Sequence, residues 1–160
     1  MASAGPTMAA RGMNIVANAE AEQIRPIFEA YRAAGGPADA KLGFARHLVI
    51  AEDADEAERL AASGFDRWRA SLAKLWRDNG ADPFRFPKDY AEAKARRVAL
   101  AGTPEMIRDE LARQFEASSA NYFLCRFAFG DLPAAASRRS LDLFVERVAP
   151  AFPGALAASL

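Results

Sequence analysis

The sequence predicts an α/β fold with a parallel sheet, and three observations lead to this prediction. Four short apolar segments alternate with amphipathic helical segments along 160 residues, a length typical of one domain. The apolar segments are nearly continuous, as strands covered on both faces are. The hydrophobic fraction of 51% is large enough to form a core. We therefore expect a single domain over 1–160, built from consecutive strand–helix units with parallel pairing.

The first two strand–helix units occupy the first half of the chain. MNIVA at 13–17 predicts the first strand, after an irregular lead-in over 1–12. FARHLVIA at 44–51 predicts the second strand, and Asp53 with Glu56 forms a capping-box pattern before a long helix. In both helices apolar residues recur every three or four positions, which indicates one buried face. These positions are Ile24, Ile27, Phe28 and Tyr31, and then Ala61, Phe65, Trp68, Leu72 and Leu75.

The last two units follow an excursion over 79–96 that carries prolines and aromatic residues. RVALA at 97–101 predicts the third strand, and Thr103 is predicted to cap the next helix with Pro104 at its first position. NYFLCRFAF at 121–129 predicts the fourth strand. The predicted buried helix positions are Met106, Ile107, Leu111 and Phe115, and then Leu141, Phe144, Val145 and Val148. The tail over 151–160 is predicted to fray.

Composition argues against several classes of function. The 21 basic residues equal the 21 acidic ones, whereas a nucleic-acid or membrane-surface protein needs a basic excess. No apolar stretch approaches the roughly 20 residues of a membrane span, and no signal-peptide pattern begins the chain. One histidine and one cysteine make neither a metal-ligand set nor an internal disulfide. We expect a cytoplasmic protein with no metal, nucleic-acid or membrane partner.

Several short motifs occur together along the chain. They are AARG at 9–12, AEDADEA at 51–57, GTPE at 102–105, FGD at 129–131 and SLDLFVERVAP at 140–150. As a set they resemble the C-terminal half of the bacterial-luciferase-like flavin-dependent monooxygenases. That resemblance implies four consecutive parallel βα units, the C-terminal half of a TIM (β/α)8 barrel, because a whole barrel takes roughly 250 residues.

The resemblance also implies a cofactor, substrates and a partner. Family members use reduced flavin, here FMN, with dioxygen and a small organic substrate. The usual catalytic histidine lies in the N-terminal half of the barrel, so no catalytic residue is assigned in this chain. We expect a truncated monooxygenase that is not competent alone. One alternative is a non-catalytic half-barrel that forms a homodimer or pairs with a separate N-terminal half. Another is a doubly wound sheet that binds a nucleotide, although no glycine-rich loop supports it.

Candidate polar site residues follow from the strand ends, where such barrels place the active site. Asn18 is interpreted either as a contact to the flavin ring or as a helix cap. Arg126 lies in an apolar strand, so it is interpreted either as a contact to an anion or to a substrate, or as part of an ion pair with a strand-end carboxylate. The resemblance places the flavin phosphate near the lead-in, whose hydroxyl residues are Ser3 and Thr7.

The remaining candidates are aromatic or titratable. Phe127 and Phe129 are predicted to share one face of the fourth strand, where they would line a substrate pocket or pack in the core. His47, the single histidine, has a pKa suited to a general base, but its place early in a strand favours a satisfied core histidine away from the catalytic end. Cys125 is predicted to be an inert buried thiol.

Overall fold

The four strands form one parallel sheet in a computed structural model that describes residues 4–81 and 86–153. They are β1 (Ile15–Ala17), β2 (Leu42–Ile50), β3 (Ala99–Gly102) and β4 (Tyr122–Arg126). Each predicted strand segment overlaps one of them, and all three ladders are parallel. The predicted α/β class with a parallel sheet is therefore confirmed.

A helix follows each strand, and two further helices lie before β1 and before β3. Their bounds are α1 (Ala4–Ala9), α2 (Ala21–Ala33), α3 (Ala54–Asp78), α4 (Tyr90–Ala95), α5 (Pro104–Ser118) and α6 (Ala134–Leu143). A π-helical turn over Phe144–Val148 and a 3₁₀ turn over Ala149–Ala151 continue α6. Helix α1 lies in the lead-in that the sequence predicts to be irregular, and α4 lies inside the excursion. Most of the tail, residues 154–160, is outside the described residues.

Two helix starts are fixed by the side chains that the sequence singles out. The Asp53 carboxylate accepts the backbone N–H of Glu56 at 2.7 Å. The Thr103 hydroxyl accepts the backbone N–H of Met106 at 3.4 Å, with Pro104 at the first helical position. Each contact satisfies a backbone donor that the helix itself leaves unpaired. Both predicted caps are confirmed.

The order of the strands differs from the sequential order expected of half a barrel. Strand β1 pairs with residues 42–44 of β2, and β3 pairs with residues 47–50. Strand β4 also pairs with β2, over residues 43–47, so it lies on the edge of β2 opposite to β1 and β3. The predicted sequential order is wrong because β2, nine residues long and buried throughout, takes the centre of the sheet. The two short strands β1 and β3 share one of its edges.

Helices cover both faces of this sheet. Side chains of β2 alternate between two cores: Phe44 and Leu48 join α2, α5 and α6, whereas Val49 and Ala51 join α3 and α4. In a (β/α)8 barrel all helices lie on the outer face, while helices on both faces are typical of doubly wound sheets. The residues of β2 are thus buried from both sides.

One residue predicted on the buried face of α3 and one on that of α5 are exposed. Leu75 is 71% exposed, because the last buried residue of α3 is Ala73 and the final turns of the helix extend beyond the sheet. Met106 is 50% exposed and lies in the first turn of α5, where its side chain borders Gly102. Apolar periodicity located these helices correctly, but the length of each that contacts the sheet depends on tertiary packing.

The C-terminal helix buries two of the four residues predicted. Phe144 and Val148 are buried as predicted, whereas Leu141 and Val145 are exposed and Leu143 is buried in addition. Val145 lies inside the π-helical turn over Phe144–Val148, where a wider turn rotates side chains relative to an ideal α-helix. The α-helical period therefore assigns only part of the buried face here.

Candidate functional site

A cleft of about 180 Å³ lies beside the central strand, on the face of the sheet covered by α3. Its walls come from the ends of β1 and β4, from β2, from α3 and from the segment before α4. The lining residues are Asn18, Ala45, His47, Phe65, Trp68, Leu72, Phe86, Pro87, Val98 and Arg126. The cleft therefore brings together two predicted site residues, Asn18 and Arg126, and adds His47.

Asn18 and Arg126 contact each other directly at the carboxyl ends of β1 and β4. The Arg126 Nη2 group donates a hydrogen bond of 2.7 Å to Asn18 Oδ1. Asn18 does not cap α2, because Glu20 occupies the N-cap position and its side chain makes no capping bond. Within the described residues Arg126 makes no ion pair, so the carboxylate-pair interpretation is wrong there. Contact with an anion or a substrate stays a prediction for this half-buried side chain.

His47 is the most deeply buried polar group of the cleft, with 4% of its surface exposed. Three aromatic rings surround it, with centroid distances of 4.3 Å to Trp68, 4.7 Å to Phe129 and 5.4 Å to Phe65. Among the described residues, neither ring nitrogen has a hydrogen-bond partner. In that part of the chain, the side-chain atoms that are both fully buried and without a hydrogen-bond partner are Glu20 Oε2 and Tyr31 Oη. The His47 nitrogens are not among them, so they are accessible from the cleft.

Two effects hold the His47 imidazole neutral. Burial disfavours the charged ring, and the positive charge of Arg126 adds to this, so the pKa falls to about 4. A neutral imidazole offers one N–H donor and one acceptor nitrogen at physiological pH. His47 is a buried core residue, as predicted. The predictions that it is satisfied and lies away from the catalytic end are wrong, because it has no hydrogen-bond partner among the described residues and pairs in register with Arg126, the last residue of β4.

A buried arginine on the other face of β2 holds the segment that carries Asn18. Arg46 is fully buried, and its Nη2 group donates to the carbonyl of Ala19 at 3.1 Å. Its Nε group donates to Gln114 Oε1 of α5 at 2.8 Å. Burial lowers the pKa of Arg46 to about 10, so the group stays charged at neutral pH. Arg46 is a positioning residue that sequence reasoning missed, although its charge in an apolar run was the available signal.

The two predicted phenylalanines separate rather than sharing a face. Strand β4 ends at Arg126, and both residues follow it. Phe127 packs against Phe144 at 5.6 Å in the core on the α5 side, whereas Phe129 packs against His47 in the core on the α3 side. Phe129 thus supports the cleft and Phe127 does not. In the same strand, burial raises the pKa of the Cys125 thiol to about 12, as expected of an unreactive thiol.

The cleft around His47 is too small to hold FMN by itself. The cleft of about 180 Å³ is smaller than the roughly 300–1,000 Å³ typical of pockets for larger ligands. Thr7 lies in α1, which packs on α2 and therefore on the sheet face opposite to His47. Ser3 lies outside the described residues. Over 4–81 and 86–153, no cluster of His, Cys, Asp and Glu could hold a metal ion, and no helix is long and apolar enough to cross a membrane.

Comparison with known proteins gives one similar curated sequence. No protein-family model matches the chain. The uncharacterized protein y4wF of Sinorhizobium fredii is 35% identical over 137 residues, which cover 81% of this chain and 40% of that protein. The chain therefore spans two fifths of this relative's length.

Several solved structures, two of them monooxygenases, share the fold of this chain over nearly half of their length. Monooxygenase RslO1 from Streptomyces bottropensis has a TM-score of 0.65 at 23% identity, covering 94% of this chain and 45% of the enzyme. The oxygenating constituent of 3,6-diketocamphane monooxygenase from Pseudomonas putida, a type II Baeyer–Villiger enzyme solved with FMN, has a TM-score of 0.67 at 21% identity, covering 92% and 45%. Apo-MsnO8 has a TM-score of 0.61 at 21% identity, covering 96% and 49%. The chain thus has a fold similar to part of these proteins.

Proposed function

We propose that this chain is one part of a luciferase-like flavin-dependent monooxygenase and that it is not catalytically competent alone. Its sequence motifs resemble the C-terminal half of that family's (β/α)8 barrel. The observation that carries the proposal is the cleft at the ends of β1 and β4, because open α/β sheets bind ligands at the carboxyl ends of their strands. The fold shared with two solved monooxygenases supports it.

In this proposal the chain supplies substrate-binding groups, and other protein holds most of the flavin. Reduced FMN would provide the reaction with dioxygen, and an organic substrate would accept one oxygen atom. The chain's own contribution is the cationic Arg126, the neutral His47 and an aromatic wall that excludes water. The small cleft and the position of Thr7 support a flavin site completed by another part of the enzyme.

The alternative is a non-catalytic module that associates with itself or with a separate first half. The lack of any described residue in the usual catalytic role favours it. The two functions differ in one measurable property. Only the monooxygenase proposal requires that completion of the fold creates a flavin site.

A flavin titration distinguishes these functions. We expect the purified chain to bind FMN weakly or not at all, without saturation in the micromolar range of a fluorescence titration. The chain should next be co-expressed with the part of protein y4wF that it does not match. We expect the copurified complex to bind FMN at micromolar or tighter dissociation constant. Micromolar binding of FMN by the chain alone would contradict the expectation that its flavin site is incomplete. A stable complex that does not bind flavin would support the non-catalytic module.

We further expect the chain to self-associate, to bind a partner half or to be poorly soluble. Strands β1 and β4 each pair only with β2 in the described sheet, so each leaves one edge unpaired. Val16 of β1 and Leu124 of β4 are exposed apolar residues near those edges. Unpaired edges with apolar side chains template association. Half a barrel would also expose its inner face, which would promote association. That face does not contribute here, because helices cover β2 on both sides.

Light scattering on the purified chain measures this association. The matched variant carries Val16→Lys and Leu124→Lys, because a lysine on an edge strand opposes pairing with another chain. We expect a larger mass for the wild-type chain and a monomer for the double variant. A monodisperse wild-type monomer at high micromolar concentration would contradict this prediction.

A further inference from the structure

We propose that the His47 cleft binds a planar, single-ring organic monoanion of the aromatic carboxylate class, with Arg126 as the anion-binding residue. The inference names a substrate class for the site described above, and its role in oxygenation rests on the proposed function. The binding itself is a property of this chain alone.

The charge of the cleft selects an anion. Arg126 is the one charged side chain among the described residues that line it. A guanidinium has five N–H donors, and within the described residues Arg126 uses one of them, toward the neutral amide of Asn18. A half-buried cation without a carboxylate partner is stabilised by an anionic ligand. A carboxylate suits it because its two oxygens match the planar fork of a guanidinium.

The size and walls of the cleft select one planar ring. Its volume of about 180 Å³ is close to that of an apolar cavity of about 150 Å³ that binds benzene. Trp68, Phe65 and Phe86 supply aromatic walls on which a planar ring can stack. The three fused rings of a flavin exceed this space, so the cleft is suited to a substrate rather than to the cofactor.

His47 supplies the second polar contact. It is more than nine-tenths buried, it lines the cleft, and neither of its nitrogens has a partner in the described part of the chain. A buried polar group of this kind is normally satisfied by a hydrogen bond, so a ligand in the cleft is its natural partner. Because the ring is neutral, the site carries one positive charge, which fits a monoanion better than a doubly charged phosphate ester.

Calorimetric titration of the purified full-length chain tests the ligand class. The probes are benzoate, its neutral analogue benzamide, the non-planar cyclohexanecarboxylate and inorganic phosphate. We expect benzoate to bind at least about tenfold more tightly than benzamide, because only benzoate gains the charged contact with Arg126. Benzoate should also shift the ring resonances of the single histidine in NMR spectra. Equal affinity for benzoate and benzamide, or unchanged histidine resonances, would overturn the proposal.

Two matched arginine variants locate the anion contact. Arg126→Gln should weaken benzoate binding at least about tenfold. Arg138 is exposed on helix α6, where it pairs with Asp142. The Arg138→Gln variant should bind benzoate as the wild type does. Wild-type affinity in Arg126→Gln would overturn the proposal. Should that variant fail to fold, the wild-type comparison of benzoate with benzamide still decides the outcome.

The outcomes separate this inference from the proposed function. Benzoate binding by the chain, together with a complex that never binds FMN, contradicts the monooxygenase and leaves the anion site standing. FMN binding by the complex without benzoate binding contradicts the substrate class and leaves the monooxygenase standing.

Discussion

Lowering the pH from about 7.5 to about 5 is expected to reduce the free energy of unfolding of this chain by about 2 kcal/mol through His47 alone. The pKa of His47 is about 4 in the folded chain, against roughly 6.5 in the unfolded chain. Between these values the unfolded chain binds a proton that the folded chain does not. The stabilising effect is therefore complete above the unfolded pKa and is lost as the pH falls toward the folded pKa.

The composition of the chain isolates the contribution of His47 in this test. It has one histidine, and its carboxylates have unfolded pKa values near 4, so they titrate mainly below this window. The groups that pack on His47 are the rings of Phe65, Trp68 and Phe129, and the charged group of its cleft is Arg126. Each of these keeps its charge state between the two pH values.

Urea unfolding at both pH values measures the effect, with His47→Gln as the control because glutamine does not titrate. We expect the variant to lose about 2 kcal/mol less stability than the wild-type chain over the same pH change. An equal loss in both proteins would show that the imidazole is not buried in its neutral form. A histidine ring that titrates near 6.5 by NMR would show the same.

Local features of the sequence predicted local features of the fold. The Asp53 and Thr103 caps depend on residues within one helical turn, and both are present as predicted. The strand positions also follow from short apolar runs. The order of the strands does not, because β2 could pair with β4 only through contacts about 80 residues apart in the chain.

The site was predictable only in part for the same reason. Asn18 and Arg126 were recognisable as polar residues at strand ends, and the structure brings them into contact. The place of His47 beside them depends on the register between β2 and β4, which sets His47 opposite Arg126. A shift of one residue would turn the histidine into the other core. No local pattern fixes that register.

The FGD segment, which the sequence marked only by resemblance, has a steric role in the structure. Gly130 has a positive φ of 62°, and a Cβ atom at this position would lie 2.0 Å from the carbonyl oxygen of Gly64 in α3. Two backbones therefore meet where a side chain cannot fit. This contact seats the segment after β4 on the helix that forms the wall of the cleft, next to Phe129.

Gly130→Ala is therefore expected to destabilise the chain by at least about 3 kcal/mol, which corresponds to a fall of roughly 10 °C in Tm. The matched control is Gly35→Ala, because Gly35 has a similar φ of 75° but no neighbouring atom within 4 Å of its Cβ position. That control should cost only the backbone penalty of about 1–2 kcal/mol. Thermal unfolding of both variants isolates the steric contribution as their difference. Equal destabilisation would show that α3 does not pack on this turn. In that case Phe65 and Trp68 of α3 would not form the wall of the cleft.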